Sequence, residues 1–192
     1  MLNLLKFSFL LILIILSSAV HADQVLCGNN PNQDLRSQGA DCYGKAQYER
    51  TIQILSRQVA KDPADGLSLA RIAISYTKLG KHKEAIAAYK KAFDANWISY
   101  DVAYWYADSL YKSGNKEQAI IWNKRSIELA PTCLDCRKGL AEKLQGLNRA
   151  QEAVDLLQNY DDTEVAAGKP ARFTGQIMLL KDSMNESTGI KN

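Results

Sequence analysis

The residues of this 192-residue chain best able to do covalent chemistry are its four cysteines, Cys27, Cys42, Cys133 and Cys136. Cys133 and Cys136 stand in Pro131-Thr-Cys-Leu-Asp-Cys-Arg137, where a helix is expected to begin. The positive end of a helix favours a thiolate, so this spacing suits a redox pair. No strand precedes the motif and no βαβ pattern surrounds it, which favours a structural disulfide and leaves thiol-disulfide chemistry as the alternative. Cys27 and Cys42 bracket an Asn/Asp/Gly-rich segment. Three pairings are open, and the favoured one joins Cys27 to Cys42 and Cys133 to Cys136. Arg137 stands where covalent haem attachment needs histidine, and one tetrahedral zinc site from all four cysteines would need an unusual long-range spacing. No metal and no cofactor are therefore expected.

The remaining candidates for catalysis are sparse. His82 follows Gly80-Lys81 at the start of a helix, where a solvated surface residue is the plain reading. Asp161 and Asp162 end a helix and suit a turn better than an acid/base pair. Neither a Gly-rich phosphate loop nor a nucleophile-base constellation is present. The chain is expected not to be an enzyme.

What positions these residues begins with an export leader. Phe7 to Leu16 hold nine apolar residues and one serine, with Lys6 before them and Val20-His21-Ala22 after them. This matches a cleavable signal peptide over residues 1–22 and is shorter than a membrane span. The mature chain would have 170 residues and a net charge of +2, with Lys6 lost from a full-length +3. So small a charge argues against a nucleic-acid partner, and after cleavage no stable membrane insertion is expected. Export to a periplasmic or extracellular, oxidising compartment agrees with an even number of cysteines.

A shift of 34 residues superposes Ala73 on Ala107 and Ala141, Ala85 on Ala119 and Ala153, and Ile86 on Ile120 and Val154. The same shift aligns Gly80, Gly114 and Asn148. Apolar residues at spacings of three and four on either side of that position describe two helices and a tight turn. The pattern Leu69-x-x-Ile72-Ala73-x-x-Tyr76-x-x-x-Gly80, with Ala85-Ile86-x-x-Tyr89-x-x-Ala92, resembles the tetratricopeptide repeat. It recurs from Tyr106 to Pro131 and from Leu140 to Val154.

The resemblance implies an all-α fold, a right-handed α-α superhelix of three full repeats at 66–99, 100–133 and 134–167. Residues 23–44 are expected as an irregular lead-in, 45–63 as a partial repeat lacking a regular first helix, and 168–184 as a capping helix. Gly175 and Met178 continue the 34-residue register into that cap, and 185–192 form a flexible tail. The solenoid proper spans 45–184.

The resemblance also implies a function: a non-catalytic scaffold whose concave groove, lined by the first helices, binds a protein or peptide. The matching positions are Leu67, Ala70, Ile74 and Lys78, then Asp101, Tyr104, Asp108, Tyr111 and Lys112, then Asp135, Lys138, Glu142 and Gln145. Tyr104 and Tyr111, two turns apart on one face, are the expected anchors. A carboxylate-clamp ligand is not expected, because Ala70 and Ile74 hold positions that would need basic or amide groups. A second aromatic group, Trp97, Tyr100, Trp105, Tyr106 and Trp122, is read mainly as inter-repeat packing, with a homo-oligomeric structural role as an alternative.

Overall fold

The computed structural model describes residues 27–188. Among them are nine α-helices and no strand. The leader lies outside the described residues. The helices are α1 (Leu35–Gly44), α2 (Tyr48–Lys61), α3 (Gly66–Lys78), α4 (His82–Asp94) and α5 (Tyr100–Lys112). There follow α6 (Lys116–Leu129), α7 (Leu134–Gln145), α8 (Ala150–Ala166) and α9 (Thr174–Thr188). Each packs on the next in sequence, and α1 and α3 also contact α3 and α5 respectively. The first helices of the early units thus form a continuous wall.

The structure contains four helical hairpins, not three and a half. The segment expected as irregular up to Gly44 is helical from Leu35, where the Asp34 side chain caps α1 by accepting the Ser37 N–H. Its register follows the other units. Gly39 takes the place of Ala73, Cys42 that of Tyr76 and Ala46 that of Gly80. Gly39 brings α1 against α2 so closely that an added Cβ would lie 2.1 Å from Leu55 Cδ2.

The turn column confirms the fourth unit. Ala46, Gly80, Gly114 and Asn148 all have positive φ, at 56°, 72°, 89° and 60°. Alanine in this left-handed conformation carries a Cβ penalty that glycine lacks. Ala46→Gly is therefore expected to stabilise the chain by about 1 kcal/mol, read as a higher urea midpoint at unchanged slope.

The C-terminal cap also departs from the 34-residue register. Phe173, Ile177 and Leu180 are the buried residues of the α9 segment, while Gly175 and Met178 face outward, Met178 being 61% exposed. Phe173 and Ile177 follow Leu140 and Leu144 by 33 residues, so the apolar stripe has slipped by one. Two features fix this placement. α8 runs for 17 residues, and buried Asp161 accepts the backbone N–H groups of Arg172 and Phe173 at 2.7 and 2.9 Å. Asp161 thus satisfies donors at the start of α9. The expected tail also begins later, since α9 includes residues 185–188.

The apolar interior is divided. One buried cluster runs from Leu55 to Ala119 and a second from Ile120 to Leu180, with Cys27, Leu35, Cys42 and Ile54 forming a small third. Tyr106 lies between Tyr89 and Trp122, and Phe93 stacks on Trp122 with ring centroids 4.6 Å apart. The break falls near polar residues in the α6–α7 seam. Asn123 is fully buried and donates to the Cys136 carbonyl at 2.7 Å, while the Ser126 hydroxyl donates to the Asn123 carbonyl.

Disulfides join Cys27 to Cys42 and Cys133 to Cys136. The first spans 15 residues and the second three. By loop entropy they differ, at about 3 and about 2 kcal/mol.

Candidate functional site: the inner face of the first helices

α1, α3, α5 and α7 are the first helices of the four units, and their inward side chains line two clefts. The N-terminal cleft, of about 360 Å³, is walled by Tyr43, Leu67, Ala70, Arg71, Ile74, Trp97 and Asp101. The next, of about 640 Å³, is walled by Tyr100, Asp101, Tyr104, Trp105, Leu134, Asp135 and the Cys133–Cys136 disulfide. Asp101 lines both, so the two clefts adjoin at the start of α5. The Ser99 hydroxyl hydrogen-bonds Asp101 beside the start of α5.

Of the residues expected in a groove, Leu67, Ala70, Ile74, Asp101, Tyr104 and Asp135 line these clefts. Ile74 is buried in the wall. Lys78 places its ammonium 3.4 Å from the Trp105 ring centroid, a cation-π contact. Burial lowers the Lys78 pKa, opposed by the Asp108 charge. Lys112, Lys138 and Glu142 are exposed and line neither cleft.

The two anchor tyrosines are partly consumed by packing. The Tyr104 ring covers Gly139, where a Cβ would come within 2.7 Å of it, and the Tyr111 hydroxyl covers Gly146. Small residues on α7 thus admit large ones from α5. Tyr104 nevertheless keeps a face on the larger cleft, whereas Tyr111 lines neither. Burial, followed by the charges of Asp108, Glu142 and Asp135, raises the Tyr104 pKa above 10.0.

Between these tyrosines lies Lys143, a residue outside the expected site. Its side chain is 7% exposed, with Nζ 3.8 Å from Asp108 Oδ1 and 3.4 Å from the Gly139 carbonyl. The Tyr104 and Tyr111 ring centroids are 5.4 and 6.0 Å away. Burial lowers the Lys143 pKa, against the pull of Asp108 and Glu142. The signal for it was in the repeat: Lys143 occupies the column of Ser75 and Ser109, both fully buried. A long cation in a serine column must reach toward the preceding helix. Arg71 and Trp105 share another column one position after Ala70 and Tyr104, and Tyr43 belongs to a helix that was not expected.

His82 opens α4 with its Nδ1 covered and without a hydrogen-bond partner. Asp162 accepts from Gln158 on the same helix. Among the described residues, no helix is long and apolar enough to cross a membrane.

A family model for tetratricopeptide repeats matches residues 68–96, and one for subunit 3 of the anaphase-promoting complex, cyclosome, matches residues 95–160. No curated protein matches the sequence. Among solved structures, a crystal structure of MamA aligns with a TM-score of 0.66 at 16% identity, covering 79% of this chain and 85% of that one. MamA from Desulfovibrio magneticus RS-1, beginning at residue 41, aligns at 0.63 with 14% identity, covering 69% and 75%. The first tetratricopeptide-repeat domain of Spaghetti (RPAP3), bound to the HSP90 peptide SRMEEVD, aligns at 0.56 with 19% identity, covering 59% and 90%. The matched residues fall on α3 to α8 and the turn column is repeated four times, so these helices are tetratricopeptide repeats in a tetratricopeptide-repeat fold.

Proposed function

We propose that this protein is a binding scaffold of an exported, oxidising compartment, and that it holds an extended peptide segment of a partner protein in the groove of its first helices. The observation that carries the reading is the pair of clefts adjoining at Asp101, with Tyr100, Tyr104 and Trp105 on one side of it and Tyr43 and Arg71 on the other. Tyr100 is 47% exposed and offers a large ring with little entropy to lose. Asp101 and Asp135 give the larger cleft an acidic lining, which suits an apolar or aromatic side chain flanked by a basic one. The two disulfides and the leader sequence support the compartment. The bound HSP90 peptide of the Spaghetti domain shows one use of this fold. Here Ala70 and Ile74 supply apolar wall, so a different ligand chemistry is expected.

Peptides selected from a random library on the folded protein provide the test. Tyr100→Ala combined with Asp101→Lys is expected to weaken their binding at least tenfold, about 1.4 kcal/mol, in a chain that keeps its helical circular dichroism. Unchanged affinity would place the binding surface elsewhere.

A further inference from the structure

The Cys133–Cys136 disulfide lines the larger cleft, and its two cysteines differ in exposure. Cys136 is 1% exposed, whereas Cys133 is half-buried at the cleft wall. Cys133 is also the N-cap of the 12-residue helix α7, and the Cys136 N–H donates to its Sγ at 3.1 Å. The Arg137 guanidinium donates to the Cys133 carbonyl at 3.3 Å. Beneath the pair, Asn123 holds the Cys136 carbonyl and leaves its own Oδ1 buried without a partner.

The disulfide closes the shorter loop, with a sequence separation of 3, and makes the smaller entropic contribution of the two. The turn is already closed by the Cys133 N–H to the Ala130 carbonyl, by the Arg137 N–H to the Cys133 carbonyl, and by the Asn123 bond. Cys27–Cys42 is different: both cysteines are buried, at 1% and 0%, among Leu35 and Ile54, and they tie an irregular strap to α1.

We propose that Cys133 and Cys136 form a thiol-disulfide exchange site acting on a cysteine-bearing polypeptide seated in the Tyr100–Tyr104–Trp105 cleft. A substrate thiolate attacks Sγ of Cys133, the more exposed cysteine of the pair. The Cys133–Cys136 bond breaks, its electron pair leaves on Cys136, and a mixed disulfide joins Cys133 to the substrate. A second substrate thiolate then attacks the substrate's sulfur in that bond and releases Cys133 as a thiolate. The substrate has lost two electrons and two protons and gained a disulfide, and the Cys133/Cys136 pair has gained both as a dithiol. The Cys136 N–H and the positive end of α7 meet the released Cys133 thiolate, which makes it a better leaving group. Asp101 and Asp135, on the same cleft, oppose that charge. The proposal rests on the groove reading for how the substrate is held, and not for the chemistry of the pair.

The test equilibrates the full chain in glutathione buffers of graded poise, traps thiols by alkylation and maps them by mass spectrometry. Cys133–Cys136 is expected to open at a reduced-to-oxidised ratio at least tenfold lower than Cys27–Cys42. Cys136→Ser is expected to carry glutathione on Cys133, and Cys133→Ser to take up little on Cys136. Opening of Cys27–Cys42 at the same or a lower ratio would overturn the proposal without recourse to any variant, as would equal labelling of the two single variants. The groove reading is scored separately. The affinity of the Tyr100→Ala/Asp101→Lys chain for the selected peptides decides it: a tenfold loss keeps the groove and unchanged affinity removes it, whatever the glutathione titration gives.

Discussion

Replacing Asp65 by alanine is expected to lower stability by about 3 kcal/mol, seen as a fall in melting temperature of roughly 10 °C. Asp65 is 5% exposed and is the N-cap of α3, accepting the Ser68 N–H and hydroxyl at 3.1 and 2.7 Å. It also accepts Arg36 from α1, at 2.8 and 2.9 Å, and Gln58 from α2 at 3.2 Å. One carboxylate thus ties three helices and two repeats. Its loss removes a cap and leaves five donors without their acceptor. Burial alone would raise the Asp65 pKa, but the hydrogen bonds from Ser68, Arg36 and Gln58 prevail and hold it below 3.8. The unfolded chain therefore binds more protons in that range. The contribution of Asp65 is present at neutral pH and fades as pH falls below 3.8 toward the lowered folded value. Asp65→Ala should accordingly lose its disadvantage in acid.

Lys143 predicts the opposite sign. Its ammonium gives up water for one carboxylate at 3.8 Å, a carbonyl and two ring edges or faces, an exchange that seldom repays desolvation. Lys143→Met is expected to raise stability by about 1 kcal/mol, because a flexible apolar side chain fills the same slot. Asp108→Ala, which leaves the cation behind, is expected to lower it by about 2 kcal/mol. The folded pKa of Lys143 lies below 10.5, so between that value and 10.5 the unfolded chain binds more protons and the wild type gains stability as pH rises. The advantage of Lys143→Met should therefore shrink toward pH 10.5. Because buried tyrosines titrate in the same range with the opposite sign, the comparison between variant and wild type is the one to measure.

The 34-residue period made α3 to α8 legible because alanines recur where helices must approach and bulky residues recur where they leave gaps. The first hairpin was hidden by its own substitutions. Gly39, Cys42 and Ala46 stand in the small, large and turn columns, yet the Asn/Asp/Gly-rich residues before them read as loop. A half-cystine fills the large position only because Cys27 bonds to it and Ile54 packs beside it. At the other end, a buried aspartate and a long α8 shift the apolar stripe by one residue, which periodicity alone does not report.

The groove was legible in outline and not in detail. Columns of the repeat identify its wall, but not which side chains face the cavity and which pack on the next unit. Tyr111 is absorbed by Gly146, while Trp105, read as packing, reaches both the cleft and Lys78. That division depends on small residues of a neighbouring repeat, 34 or more positions away in the chain.

The central claim is that partners bind on the inner face of the first helices. A library-selected peptide carrying a benzophenone side chain, photolysed in the complex and mapped by mass spectrometry, tests it most directly. Cross-links on Arg71, Tyr100, Asp101 and Trp105 are the predicted result. Cross-links concentrated on the second helices, at Lys90 of α4 or Lys124 of α6, would contradict it.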